Sequence, residues 1–381
     1  MYYTTICAIA KDENPHLKEW ILYHFAIGFE HIVIYDNNSK IPVSTELAEY
    51  VAAGLVTVID WPLTDAQQMS AYMDCLKRVR EATFWLAYID IDEFIVPIQH
   101  RDVRDLLDNY RQFGGLAMHW LTFGSNGHIN RPKGGMLENY TAALSLWAHI
   151  KSIVRPKVTI RPASVHHCLF TDGHYCVNED GVIVHSFCSY PVGEKIRVNH
   201  YYYRSQQDYE EKIARGLATR IKSGADRHIG LFYEHLSLPE HQDTKIQAWL
   251  PLVRKFARLP ATALAQLVRE PLQQDLAMGI KAVSACMAQG DIARARREYT
   301  VLSRHHSSPH LAVVEASLAF WEDNVPQGLA ILSRALQEYA DDKNAAAMLF
   351  AELACHYERE GRAETAALVR EFGGGAPEAA H

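Results

Sequence analysis

The sequence predicts an α/β domain followed by an all-α, repeat-like region, and three observations carry that prediction. Up to about residue 200, short β-rich runs alternate with amphipathic helical runs. Four of the β-rich runs in succession end in acidic or polar residues. From about residue 270 the chain turns Ala-rich, and helix-breaking residues recur at a nearly constant spacing.

"TTICAIA" reads as the first strand, and "PHLKEWILYHFAIG" as a helix with apolar residues at helical spacing and Gly28 as its stop. "HIVIYDN" and "LVTVIDW" are the second and third strands. "DAQQMSAYMDCLKRVR" is a second helix, leading into "FWLAYIDIDEFIVP", a fourth strand. This order begins a sheet with parallel strands, and such sheets collect ligands outside the carboxyl ends of their strands. Those ends carry Lys11, Asp12, Glu13 and Asn14; Asp36, Asn37, Asn38 and Ser39; Asp60 and Trp61; and Asp90, Asp92 and Glu93. Together they describe a pocket suited to a ribose, a polar base and a metal. On a strand, residues two apart share a face, so Asp90 and Asp92 are expected to project together while Glu93 faces away. A carboxylate inside a sheet costs several kcal/mol unless it is paired or holds a metal.

The 381 residues suffice for two domains, and 48% apolar content can bury a sizeable core. Lys plus Arg number 38 against 45 Asp plus Glu, a net charge of −7, which disfavours nucleic acid as a partner. No apolar run has membrane-spanning length and no basic stretch precedes a greasy one at the N-terminus. A cytoplasmic protein is expected, at most peripheral at the inner face of a membrane. Seven scattered cysteines read as buried thiols of a reducing compartment. "VHHCLFTDGHYC" lacks the paired spacing of a zinc site, and its alternating apolar residues read as strands.

In the second half, Gly290, Asn324 and Gly361 punctuate helix pairs at gaps of 34 and 37 residues, and Pro309 and Lys343, which open successive pairs, are 34 apart. That period is the mark of tetratricopeptide-like repeats. The expected boundaries are an α/β domain over 1–256, a linker over 257–274 where two prolines interrupt the helices, a helical domain over 275–372 and a disordered tail over 373–381.

Six ordered blocks carry a family likeness. "ICAIAKDENPHLKEWILYHFAIGFEHIVIYDNNS", "DAQQMSAYMDCL", "WLAYIDIDEFIVP", "FGSNGH", "KSIVRP" and "VNHYYYRSQQDYEEKIARG" resemble the bacterial family 2-like and family 92 glycosyltransferases, over roughly residues 4–220. The resemblance implies a GT-A fold, a nucleotide-sugar-binding domain with a mixed central sheet. It implies metal-dependent transfer, with inversion, from a nucleotide sugar, uridine being the common nucleoside, to a hydroxyl of a glycan or lipid-linked glycan. Asp90 and Asp92 match the family's acidic pair and would hold Mn2+ or Mg2+, with His200 returning to the metal or the diphosphate. A hard cation takes oxygen ligands, several of which the diphosphate itself supplies. Lys11 and Glu13 carry over from the family's Lys-Asn-Glu, while Asp12 departs from its Asn. Asp36 and Asn38 fall at the nucleoside, and Gln67 or Gln68 near the donor. Ser125 and Asn126, between Gly124 and Gly127, stand where backbone must approach something closely, a donor or only a tight hairpin. Lys151 and Arg155 are expected at phosphate, Glu93 as an orienting catalytic group, and Tyr201, Tyr202 and Tyr203 either on a sugar or in the core. Inversion requires a general base, expected after the acidic pair; Asp172 is named from among His167, Asp172, Glu179 and Asp180. The helical repeats are expected to contact a protein partner or a second copy. In the alternative reading they are the working part, beside a degenerate transferase-like domain. A nucleotidyl or phosphoryl transferase is disfavoured, since no glycine-rich phosphate loop occurs.

Overall fold

Small and β-branched residues from Tyr2 to Ala10 form β1, whose last seven residues are all buried. A strand buried on both faces belongs in the middle of a sheet. The structure, a computed structural model, describes residues 2–64, 67–215, 228–269, 276–303, 309–338 and 343–373. In it β1 is flanked in parallel by β2 (His31–Asp36) and β4 (Thr83–Tyr88), with β3 (Val56–Asp60) beyond β2. On the other side β4 pairs antiparallel with β7 (Ala142–Val154), which pairs antiparallel with β6 (Gly115–Phe123). The sheet is therefore mixed, as expected, and has eleven strands among the described residues.

The alternation of β1 serves two cores. Ile6, Ala8 and Ala10 pack with Trp20, Ile21 and Phe25 of α1 (Asn14–Ala26). Cys7 and Ile9 pack on the opposite face with Ala71, Tyr72 and Cys75 of α2 (Gln67–Val79). Each crossover helix thus covers one face, which leaves the carboxyl ends of β1, β2 and β4 open between them.

The acidic stretch departs from expectation. β4 stops at Tyr88, and β5 (Glu93–Pro97) begins on a different neighbour, antiparallel to β12 (Ile196–His200). Between them the chain turns, with the Glu93 N–H donating to the Asp90 carbonyl at 3.1 Å and Ile89 and Ile91 buried as anchors. Asp90 and Asp92 occupy a turn between two strands with separate partners, so strand alternation does not set their directions. The cysteine-rich patch forms short strands, β9 (Cys168–Phe170) and β10 (Cys176–Val177).

The chain divides into two units, 1–269 and 270–381. Residues 261–269 of the expected linker form a helix whose Ala261, Leu264, Ala265 and Val268 join the core of the first unit. In the second unit the described residues form three helical hairpins: Leu276–Ala288 with Ile292–Ser303, Pro309–Trp321 with Val325–Glu338, and Lys343–Arg359 with Ala363–Gly373. Gly290 and Gly361 take φ near +75° and +72° at two of the turns, a conformation glycine adopts without strain. The expected tail, from residue 374 onward, and residues 270–275 of the linker lie outside the described residues.

Glu179, one of the base candidates, has a structural task. Its buried carboxylate accepts the N–H groups of Glu194 at 2.8 Å, Lys195 at 2.9 Å and Ile196 at 2.9 Å, tying down the segment that enters β12. Glu179→Ala strands three donors and is expected to lower unfolding free energy by roughly 2–5 kcal/mol. Glu179→Gln, which retains one acceptor oxygen, should lose less; chemical denaturation checks both.

Candidate active site

The open carboxyl ends border a cavity of about 300 Å³, entirely within the first unit. Lys11 and Glu13 reach it from the end of β1, Asn37 from the end of β2, Gln67 and Gln68 from the first turn of α2, and Asp90 and Asp92 from the acidic turn. The far wall comes from Trp120 of β6, His166, His200 of β12, Tyr202, and Lys212 and Arg215 of α3 (Gln206–Arg215).

Each carboxylate of the site is met by a cation from a distant segment. Lys151, fully buried on β7, places Nζ 2.9 Å from Asp90 Oδ2 and 3.3 Å from Glu93 Oε2. Gln68 Nε2 donates to Asp90 Oδ1 at 2.6 Å. Lys212 Nζ donates to Asp92 Oδ2 at 2.5 Å and to the Tyr202 carbonyl at 3.1 Å. Arg204 Nη1 lies 3.1 Å from Glu13 Oε2, and Arg215 pairs with the other Glu13 oxygen. Burial alone would raise these carboxyls. At Asp92 the Lys212 ammonium and His200 outweigh it and hold the group well below the usual carboxylate range. At Glu13, Arg204 and Arg215 overcome burial and lower it to about 2. At Glu93 burial wins over Lys151, pushing its carboxyl up to about 8. In the lining Lys11, Lys212 and Arg215 match Glu13, Asp90 and Asp92 in number, and Lys151 and Arg204, buried behind them, bring the cations to five. That excess suits an anionic ligand.

Helix α3 is held in place from one side. Asp208 Oδ2 accepts Ser205 Oγ at 2.6 Å, and Oδ1 lies 3.1 Å from His16 Nε2 and 2.7 Å from Arg131 Nε. Asp208, Lys212 and Arg215 are spaced i, i+4, i+7 and share one helix face. That spacing was the available signal for Lys212 and Arg215, which sequence reasoning passed over inside the block "EEKIARG". Asn37, Trp120 and His166 were also missed as site residues.

Of the expected donor residues, Lys11, Glu13, Gln68 and Asp90 line the cavity, as does His200, and Lys151 lies beneath it against Asp90. Asp36 does not: its carboxylate accepts Ser39 N–H at 3.0 Å and Val43 N–H at 2.9 Å, closing the turn after β2. Asn38 is exposed in a left-handed conformation, and it is Asn37, donating to the Trp61 and Leu63 carbonyls at 2.8 Å each, that faces the cavity. Ser125 and Asn126 form a hairpin turn away from it, Asn126 Oδ1 accepting the N–H groups of Thr141 and Ala142. Glu93 is buried below the cavity rather than in its lining. Asp172 sits in an exposed turn and Arg155 lies over the Phe84 ring; neither lines the cavity. Of the three tyrosines only Tyr202 lines it, Tyr201 being core and Tyr203 stacked on His235.

Among the described residues no three His, Cys, Asp or Glu side chains converge as a metal cage. Two do converge at the cavity: Asp92 Oδ1 and His200 Nε2 are 3.8 Å apart, and burial keeps the imidazole below its ordinary range and so neutral. One carboxylate oxygen and one neutral imidazole fit a Mn2+ or Mg2+ ion that takes its other ligands from a diphosphate and water. Asp90, expected as a metal ligand, instead has its two oxygens engaged by Gln68 and Lys151.

An α/β domain with a charged cavity at the carboxyl ends of its strands is the frame of an enzyme. Residues 3–250 match the model of glycosyltransferase family 92, and the chain belongs to that family. A family 92 protein of Oryza sativa subsp. japonica is 30% identical over 229 residues, 58% of this chain and 37% of that protein. The galactan beta-1,4-galactosyltransferase GALS3 of Arabidopsis thaliana is 32% identical over 111 residues, 26% of this chain and 22% of its own length. The chain thus spans well under half the length of these plant relatives. Among solved structures, Staphylococcus aureus TarS 1-349 aligns over 97% of this chain and 90% of its own at 9% identity and a TM-score of 0.31, too distant to carry a ligand or an activity across.

The Glu13 cluster makes a pH prediction. Because its carboxyl drops from 4.5 unfolded to about 2 folded, its contribution is present above about pH 4.5 and is lost as pH falls towards 2. A shift of that size corresponds to roughly 3 kcal/mol. Glu13→Gln should be less stable than wild type at neutral pH, and the gap should close on acidification, as read by urea melts at several pH values.

Proposed function

We propose that the α/β domain is a glycosyltransferase that takes a nucleoside diphosphate sugar, with uridine as the nucleoside, and passes the hexosyl group with inversion to a hydroxyl of a glycan or lipid-linked glycan. The observation that carries this reading is a group of five cations, Lys11, Lys212 and Arg215 in the cavity lining and Lys151 and Arg204 buried behind it, in a chain of family 92. The names of the galactan galactosyltransferase relatives make galactose the first sugar to try. In this reading Lys11, Lys212 and Arg215 hold the diphosphate, and Asn37 stands on the nucleoside side. Mn2+ or Mg2+, held by Asp92 and His200, would neutralise charge on the departing diphosphate. With the ion bound at Asp92, Lys212 would be free to turn from that carboxylate to phosphate.

The proton of the acceptor hydroxyl needs a base that reaches the cavity. All three carboxylates pair with cations, but Asp92 and Glu13 are buried, whereas the Asp90 side chain is 34% exposed and held between Gln68 and Lys151. Asp90 is therefore the base in this reading, with Lys151 and Gln68 as its positioning residues, in place of Asp172. The helical hairpins serve contact with a partner or a second copy, and no helix among the described residues is long and apolar enough to cross a membrane. A peripheral position at the inner face of a membrane would bring the domain to lipid-linked acceptors.

Nucleotide binding is tested by melting temperature. UDP with Mn2+ should raise it by mass action, and Lys212→Met and Arg215→Met should reduce the shift. Asp90→Asn should keep the shift yet slow transfer by ~10²–10⁴-fold. No shift with any nucleoside diphosphate in the wild type contradicts the donor reading.

A further inference from the structure

A run of aromatic rings leads out of the cavity from its Trp120–His200 wall. His200 and Trp120, both in its wall, have ring centroids 4.5 Å apart. Trp120 meets His166 at 5.2 Å and stacks on His149 at 5.4 Å with 17° between planes. His149 continues to Phe187 at 5.8 Å and to Trp147 at 6.4 Å. Trp147 and Phe187 are each 45% exposed, so the outer end of the run is open surface rather than core. The register of β6 on β7 shifts between His119 and Trp120, a bulge of the sort that re-aims side chains beside a site. Trp120 Nε1 and His149 Nδ1 are buried and have no hydrogen-bond partner among the described residues.

We infer that this track is the acceptor subsite and that its occupant is the sugar chain of a glycan. The inference rests on the donor reading above, since it supplies the partner that the donor cavity lacks. Indole and phenyl faces pack against the C–H faces of a pyranose, while the interleaved imidazoles of His149 and His166 meet its hydroxyls. A lipid tail asks for an unbroken apolar groove, and here a polar ring follows each apolar one. The His166 tautomer is set for this: Nδ1 faces the Ile150 carbonyl at 2.9 Å and must carry the proton, which leaves Nε2 as an acceptor. Because the rings extend from the cavity wall to the surface, more than one sugar unit is held, and the sugar nearest His200 presents the hydroxyl that reacts.

The test follows the intrinsic tryptophan fluorescence of the full chain during titration with linear β-1,4-galacto-oligosaccharides, and with gluco- and manno-oligosaccharides in parallel. Wild type, Trp147→Ala, Trp147→Phe and Phe187→Ala are compared, and the UDP melting shift is recorded for each. One oligosaccharide series should bind wild type, longer members more tightly than the monosaccharide. Both alanine variants should weaken that binding by roughly fivefold to tenfold. Trp147→Phe should recover most of it, and the UDP shift should be the same throughout. Binding that is indifferent to both alanine variants, or no binding of any series, overturns the inference. Absence of the UDP shift in wild type overturns the donor reading instead, and the two failures are read separately.

Discussion

The site depends on one constraint: a carboxylate removed from water must be met by a cation. The turn that ends β4 and opens β5 brings Asp90 and Asp92 to the sheet edge, and Glu13 arrives beside them from the end of β1. None of the three is met locally. Lys151 comes from β7, Arg204 from the segment after β12, and Lys212 and Arg215 from α3, in pairs separated by 61 to 191 residues along the sequence in the hydrogen-bonded cases of Lys151 and Arg204. Removing one partner of such a pair leaves an uncompensated buried charge, so the pairs commit distant segments to one arrangement. The cavity walls are therefore assembled by the closure of the fold.

The same constraint explains why the cluster is poised for ligand exchange. Five cations stand around Glu13, Asp90 and Asp92, three of them in the cavity lining and Lys151 and Arg204 buried behind it. Asp208, fixed by His16, Ser205 and Arg131, anchors α3 and hence the two cations that the helix points at the cavity. From His200, beside Asp92, the wall continues into the rings of Trp120 and His166. The charged half suits a diphosphate and the aromatic half a sugar chain, and the acidic turn lies where they meet.

Much of this was legible in the sequence, and the failures have physical reasons. The strands and crossover helices up to β4 follow their periodicities because each is set by local pattern. The acidic motif was located correctly, but an unbroken apolar run disguised a turn, since Ile89 and Ile91 are buried for reasons of anchoring rather than strand alternation. At the end of β2 the same ambiguity exchanged Asn37 for its neighbours: Asp36 and Asn38 are occupied with closing the turn, and turn residues cannot be told from ligand-binding ones by type. Asp172 and Glu179 were carboxylates at plausible distances along the chain; only the fold shows one exposed elsewhere and the other stapling backbone. Lys212 and Arg215 were visible through their spacing from Asp208. Their pairing with Asp92 and Glu13, 202 residues away in the latter case, was not.

The central claim is that the cavity at the β4–β5 turn transfers a sugar from a nucleoside diphosphate, and the most direct measurement is product analysis. The full chain is incubated with UDP-galactose, Mn2+ and β-1,4-galacto-oligosaccharide, and UDP and the oligosaccharide are quantified together by mass spectrometry. The account predicts an oligosaccharide longer by one hexose for each UDP released. Release of UMP or pyrophosphate in place of UDP, or an unchanged oligosaccharide with this and every other UDP-hexose, would contradict it.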